Sequence, residues 1–69
     1  MELSRKDIQN FYVRICKDSG WKIDYINAAK LAAGVLSLNT MEIWIAIGDL
    51  KTMEKISKGE HPVCRDYNG

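Results

Sequence analysis

Glycines divide this 69-residue chain into four short segments, and each segment opens with a residue that can cap a helix. Ser, Asp or Asn at a helix start accepts a free backbone N–H, and a glycine just past the end supplies a left-handed residue. The caps are Ser4, Asp24, Asn39 and Asp49, and the glycines are Gly20, Gly34, Gly48 and Gly59. This punctuation predicts helices over residues 5–18, 25–33, 40–47 and 50–58, followed by an irregular tail over about 60–69.

Hydrophobic spacing supports these helices. Ile8, Phe11, Tyr12 and Ile15 recur at intervals of three and four, which is typical of an amphipathic helix. Because a chain of 69 residues has room for one core only, the predicted fold class is all-α, a small four-helix single domain over residues 1–69. The predicted core consists of Ile8, Phe11, Ile15, Leu31, Val35, Ile43, Trp44, Ile47, Leu50 and Met53.

The third segment also has features of a strand. Residues 43–47 are five consecutive apolar side chains, three of them β-branched, and a short buried strand would have the same composition. No second run of comparable strength is present to pair with it, and a lone strand leaves its backbone groups unsatisfied. A helix over residues 40–47 is therefore the preferred interpretation, with a strand as the alternative.

Charge and cysteine content limit the function classes. Ten Lys and Arg residues against nine Asp and Glu residues give a net charge of +1, so the overall charge does not indicate a strongly charged partner. Cys16 and Cys64 are the only cysteines, and the N-terminus has no uninterrupted apolar signal region. We expect reduced, unbridged thiols and a cytoplasmic protein, with no membrane association.

Candidate residues for chemistry are few. His61 is the single histidine, and His61-x-x-Cys64 with Cys16 offers three metal ligands, whereas structural zinc takes four, typically in two local pairs. No nucleophile, general base and orienting group occur at a recognisable spacing. We therefore predict no catalytic residue, no cofactor, no metal and no small-molecule substrate. The protein is predicted not to be an enzyme.

An apolar third helix favours an association module. If residues 43–47 are helical, apolar side chains cover every side of that helix, and a chain this short can hardly bury all of them within itself. Ile43, Ile45 and Ile47 are the predicted interaction surface. The leading hypothesis is a non-enzymatic helical regulatory or interaction module of bacterial or phage type, acting through a homodimer or a protein partner.

A sequence motif provides the alternative. The pattern Ser37-x-x-Thr40-x-x-x-Trp44-x-x-x-Gly48 resembles the recognition-helix segment of phage CI/Cro-type helix-turn-helix repressor domains. This resemblance implies that the second helix crosses the DNA backbone and that residues 37–47 enter the major groove. Carried over by position, the groove-facing residues are Ser37, Leu38, Asn39, Glu42, Ile43 and Ala46. Lys51 and Lys55, on the basic face of the fourth helix, complete the candidates for binding duplex DNA by a transcriptional regulator.

Overall fold

The computed structural model describes residues 3–66, which form an all-α domain built on four main helices. In chain order these are α1 (Arg5–Asp18), α2 (Tyr25–Leu36), α3 (Thr40–Ile47) and α4 (Leu50–Ser57). The predicted fold class is confirmed, and residues 41–47 belong to a helix rather than a strand. The predicted irregular tail lies partly outside the described residues. Its described part contains one further short helix, α5 (Pro62–Asp66).

The four main helices begin at the residues predicted to cap them. Ser4 and Asp7 form a capping box on α1: the Ser4 hydroxyl accepts the Asp7 N–H at 3.1 Å, and the Asp7 carboxylate accepts the Ser4 N–H at 3.2 Å. Asn39 and Glu42 form the same arrangement on α3, with both distances 2.9 Å. Two aspartates cap the other helices, Asp24 on α2 and Asp49 on α4. Each cap satisfies an N–H that has no partner inside its helix.

The end of α2 differs from the prediction. The helix does not stop before Gly34 but continues through it to Leu36, and Ser37 is its C-cap. Ser37 adopts the left-handed conformation with φ of 59°, and the Leu38 N–H donates to the Ala33 carbonyl at 2.9 Å. The extra turn places Leu36 against the core, and this burial offsets the cost of a left-handed serine.

The core forms against the alanine face of α2. Its four buried alanines are Ala28, Ala29, Ala32 and Ala33. Of the predicted core, Ile8, Ile43, Ile47 and Met53 are buried, and Phe11, Ile15 and Trp44 are half-buried against them. The prediction was wrong for Leu31, Val35 and Leu50, which are 52%, 65% and 45% exposed. Leu31 and Val35 lie off the alanine face, which is the side of α2 that meets the other helices.

Helices α2 and α3 are joined by a short turn and lie at a steep angle to each other. The chain direction turns by 109° between them, across the three connecting residues 37–39. Within residues 3–66, no single helix is both long enough and apolar enough to span a membrane. Helices α2 and α3 meet that criterion only as a bent pair, by length and composition alone.

Candidate functional site

Helix α3 divides its isoleucines between the core and the surface. Ile43 is fully buried and Ile47 is 8% exposed, whereas Ile45 is 60% exposed. The prediction that Ile43 and Ile47 belong to an interaction surface is therefore wrong. These two residues are one turn apart and share the inner face, and a residue midway between them must point to the opposite side. Met41, one turn before Ile45, is 58% exposed and extends the same outer face.

Exposed apolar side chains are most frequent on α2 and α3. Within residues 3–66, seven large hydrophobic residues are exposed, and α1, the longest helix, carries none of them. Five of the seven belong to α2 and α3, namely Ile26, Leu31, Val35, Met41 and Ile45. Single exposed apolar residues need no explanation, whereas Met41 and Ile45, one turn apart, form an exposed apolar pair on the outer face of α3.

A groove borders Ile45 on one flank of α3. It has a volume of about 400 Å³, and α1 contributes Arg5, Lys6 and Gln9 to its lining, while the end of α3 contributes residues 45–48. As far as residues 3–66 go, the lining contains two cations and no acidic side chain. The last carbonyl groups of α3 carry the negative end of the helix dipole, so the cations are favourably placed there. We call Met41, Glu42, Ile45 and the groove residues Arg5 and Lys6 the α3 surface.

The candidate DNA-contacting residues fall into two separate groups. Ser37 and Asn39 are exposed in the turn, Leu38 is half-buried against the core, and Glu42 follows on α3. The Asn39 and Glu42 side chains are both engaged in the capping box, and Ile43 and Ala46 are buried and cannot enter a groove. Lys51 and Lys55 line a shallow depression of about 210 Å³ elsewhere, together with Glu54, Lys58 and Glu60.

No family model, curated protein sequence or solved structure matches this chain.

Burial affects both cysteine thiols, and the histidine makes a local hydrogen bond. Burial raises the pKa of the Cys16 thiol to about 12, and burial also raises the pKa of Cys64. The Cys64 thiol donates to the Ile56 carbonyl at 3.6 Å, and Nδ1 of His61 accepts the Val63 N–H at 3.1 Å. Both thiols are free, and no three His, Cys, Asp or Glu side chains in the described part of the chain are grouped to hold a metal ion. At neutral pH the two cysteines are protonated thiols, which are poor nucleophiles.

Sequence reasoning missed the contribution of α1 to the surface. Arg5, Lys6 and Gln9 are recognisable in the sequence only as polar residues off the apolar stripe of the first helix. Their position beside Ile45 depends on how α1 packs against α3, and no local pattern encodes that packing.

Proposed function

We propose that this chain is a non-enzymatic helical interaction module that self-associates through the α3 surface, centred on Ile45. In this proposal it acts as a homodimer in the cytoplasm. Its role is regulatory, like that of small regulatory proteins of bacteria or phages. The observation that carries the proposal is the outward isoleucine on a helix whose other two isoleucines are buried.

The energetics favour a modest association. Full burial of an aliphatic side chain is worth about 1.5–3 kcal/mol, and Ile45 and Met41 each leave more than half of their surface in water. Covering them against a second copy contributes roughly 1–2 kcal/mol per side chain, counted twice in a symmetric dimer. Association also costs several kcal/mol in lost translational and rotational freedom. The expected dimer is therefore weak, and it forms at high protein concentration.

The test compares two lysine variants of exposed residues. We expect sedimentation equilibrium to show a mass that rises with concentration for the unmodified chain, and a monomer for Ile45→Lys. Both Ile45 and the control residue Leu31 are more than half exposed, so a lysine at either position leaves the core intact. Leu31→Lys, on α2, should associate like the unmodified chain, and circular dichroism checks the helix content of both variants.

Two results would contradict the proposal. One is an unmodified chain that stays monomeric at millimolar concentration. The other is an Ile45→Lys variant whose mass follows that of the unmodified chain at every concentration.

We also propose that this chain has no active site. The raised pKa values of Cys16 and Cys64 and the local hydrogen bond to His61 support structural roles for the residues that could otherwise do chemistry. The proposal accordingly assigns no catalytic residue, cofactor, metal or small-molecule substrate.

A DNA-binding helix-turn-helix of the phage repressor type is the second candidate. The 109° turn across residues 37–39 favours it. The outer face of α3 argues against it, because Met41, Glu42 and Ile45 include no hydrogen-bond donor to bases or phosphates. Titration of a nonspecific DNA duplex at several salt concentrations separates the two candidates. Binding that weakens steeply with salt, by a chain that stays monomeric, would favour the DNA-binding function.

A further inference from the structure

The α3 surface has opposite charges at its two ends. Glu42 lies one turn before Ala46, so it is on the flank of α3 where the groove opens, and it is exposed. Arg5 and Lys6 stand beside the other end of the helix, at the level of residues 45–48. Ile45 lies between them along the helix axis, and Met41 extends the apolar face by one turn before Ile45. An acidic end, an apolar centre and a basic end form a pattern that is complementary to its own reversed copy.

The spacing along α3 is symmetric about Ile45. Glu42 precedes Ile45 by three residues and Gly48 follows it by three, which places each about 4.5 Å along the helix axis from Ile45. A two-fold axis passing beside Ile45 therefore brings Glu42 of one copy to the level of Gly48 in the other. Gly48 lines the same groove as Arg5 and Lys6.

We propose that two copies pack antiparallel across α3, so that Glu42 of each copy meets Arg5 and Lys6 of the other around a central Ile45 contact. This arrangement rests on the self-association proposed above and specifies its geometry. A closed two-fold dimer requires one self-complementary patch, and the α3 surface has both the charge pattern and the apolar centre for it. The antiparallel arrangement also opposes the dipoles of the two α3 helices.

Size sets the expected affinity. A standard interface covers about 800 Å² on each partner, which is about a sixth of the 4669 Å² accessible surface of this chain. Helix α3 has eight residues and is about 12 Å long, so it covers less than that. The pairing belongs with small, transient interfaces, and it should weaken as salt screens the exposed charges.

A charge-swap experiment tests the pairing directly. Glu42→Lys and the double variant Arg5→Glu, Lys6→Glu each place like charges at both ends of the symmetric contact. We expect the dimer dissociation constant of either variant alone to rise about tenfold or more. An equimolar mixture of the two variants should form a heterodimer about as tight as the unmodified dimer. In that heterodimer the lysine introduced at position 42 of one chain faces the two introduced glutamates of the other, and the retained Glu42 faces the retained Arg5 and Lys6.

Two controls separate charge from folding. Glu42→Gln keeps an acceptor for the Asn39 N–H, so the capping box survives while the charge is lost, and we expect a smaller weakening than for Glu42→Lys. Glu60→Lys makes the same charge change at an exposed residue beside Lys51 and Lys55, away from the α3 surface. It should leave dimerisation unchanged.

The outcomes distinguish this inference from the function on which it rests. Heterodimer formation in the mixture, from two variants that are each impaired, supports the antiparallel pairing. A second outcome is that the unmodified chain dimerises and Ile45→Lys abolishes the dimer, while the charge variants dimerise normally. This outcome overturns the antiparallel pairing but leaves the self-association standing. If the unmodified chain does not dimerise, both are overturned.

Discussion

The Tyr12 hydroxyl reaches across the core to two backbone carbonyls. It donates to the Tyr25 carbonyl at 3.0 Å, and the Met53 carbonyl lies at 3.5 Å. Tyr12 is fully buried, and a buried hydroxyl is tolerated in a protein core when it is hydrogen-bonded. Burial is also the main reason why the pKa of Tyr12 lies well above its ordinary value. The proton therefore stays on the oxygen, and the side chain joins α1 to the start of α2 and to α4.

Removing this hydroxyl should destabilise the fold. We expect Tyr12→Phe to lower the free energy of unfolding by about 1–2 kcal/mol, because the hydrogen bond from the buried hydroxyl to the Tyr25 carbonyl is lost. Urea denaturation followed by circular dichroism measures the change. Tyr25→Phe is the matched control, since the Tyr25 hydroxyl makes no hydrogen bond within residues 3–66, and its effect should stay within about 0.5 kcal/mol. Equal losses in the two variants would contradict a bonding role for Tyr12.

Among the helices, α2 contains a glycine that its backbone does not require. Gly34 lies inside the helix with ordinary helical geometry, and a Cβ placed there would meet no atom within 4 Å. We expect Gly34→Ala to raise the free energy of unfolding by about 0.5–1 kcal/mol, because alanine loses less backbone entropy in a helix. Thermal unfolding measures the gain.

The contrasting variant is Gly48→Ala. Gly48 ends α3 with φ of 132°, a conformation that an alanine adopts only with strain, so this variant should be destabilised. If Gly34→Ala were destabilised as well, α2 would end before residue 34 in solution.

Helix starts could be predicted from the sequence because capping is local. Ser4, Asp24, Asn39 and Asp49 each accept a backbone N–H two or three residues later, so the necessary information lies within one turn. The end of α2 could not be predicted in this way. Its position at Ser37 depends on Leu36 reaching the core formed by other helices.

Helix orientation limited the prediction of the candidate site. The apolar run 43–47 indicated that at least one isoleucine remains outward, and the helical period puts Ile45 opposite Ile43 and Ile47. Which of the two sides is buried depends on the packing of α3 against α1 and α2. The same difficulty explains Leu31, which belongs to the predicted core although α2 buries its alanines instead.

For the whole molecule, two groups on α1, Cys16 and Tyr12, make the stability of the fold depend on pH in the alkaline range. Burial raises the pKa of Cys16 from 9.0 to about 12 and raises that of Tyr12 as well. The native protein therefore holds protons that the unfolded chain releases. Stability from Cys16 is fully present below pH 9 and is lost as the pH rises from 9 towards 12, because only the unfolded state ionises in that interval.

The resulting prediction concerns the slope of stability against pH. We expect the free energy of unfolding of the unmodified chain, measured in urea, to be nearly constant from about pH 7 to 8 and to fall above about pH 9. Each fully shifted group contributes at most about 1.4 kcal/mol per pH unit.

Cys16→Ala should be less stable at neutral pH, because it leaves a small cavity, but its stability should fall less steeply in alkali because one linked proton is gone. Cys64→Ala, which removes a half-buried thiol, should flatten the slope less. A Cys16→Ala variant with the same alkaline slope as the unmodified chain would show that the Cys16 thiol does not couple unfolding to proton release.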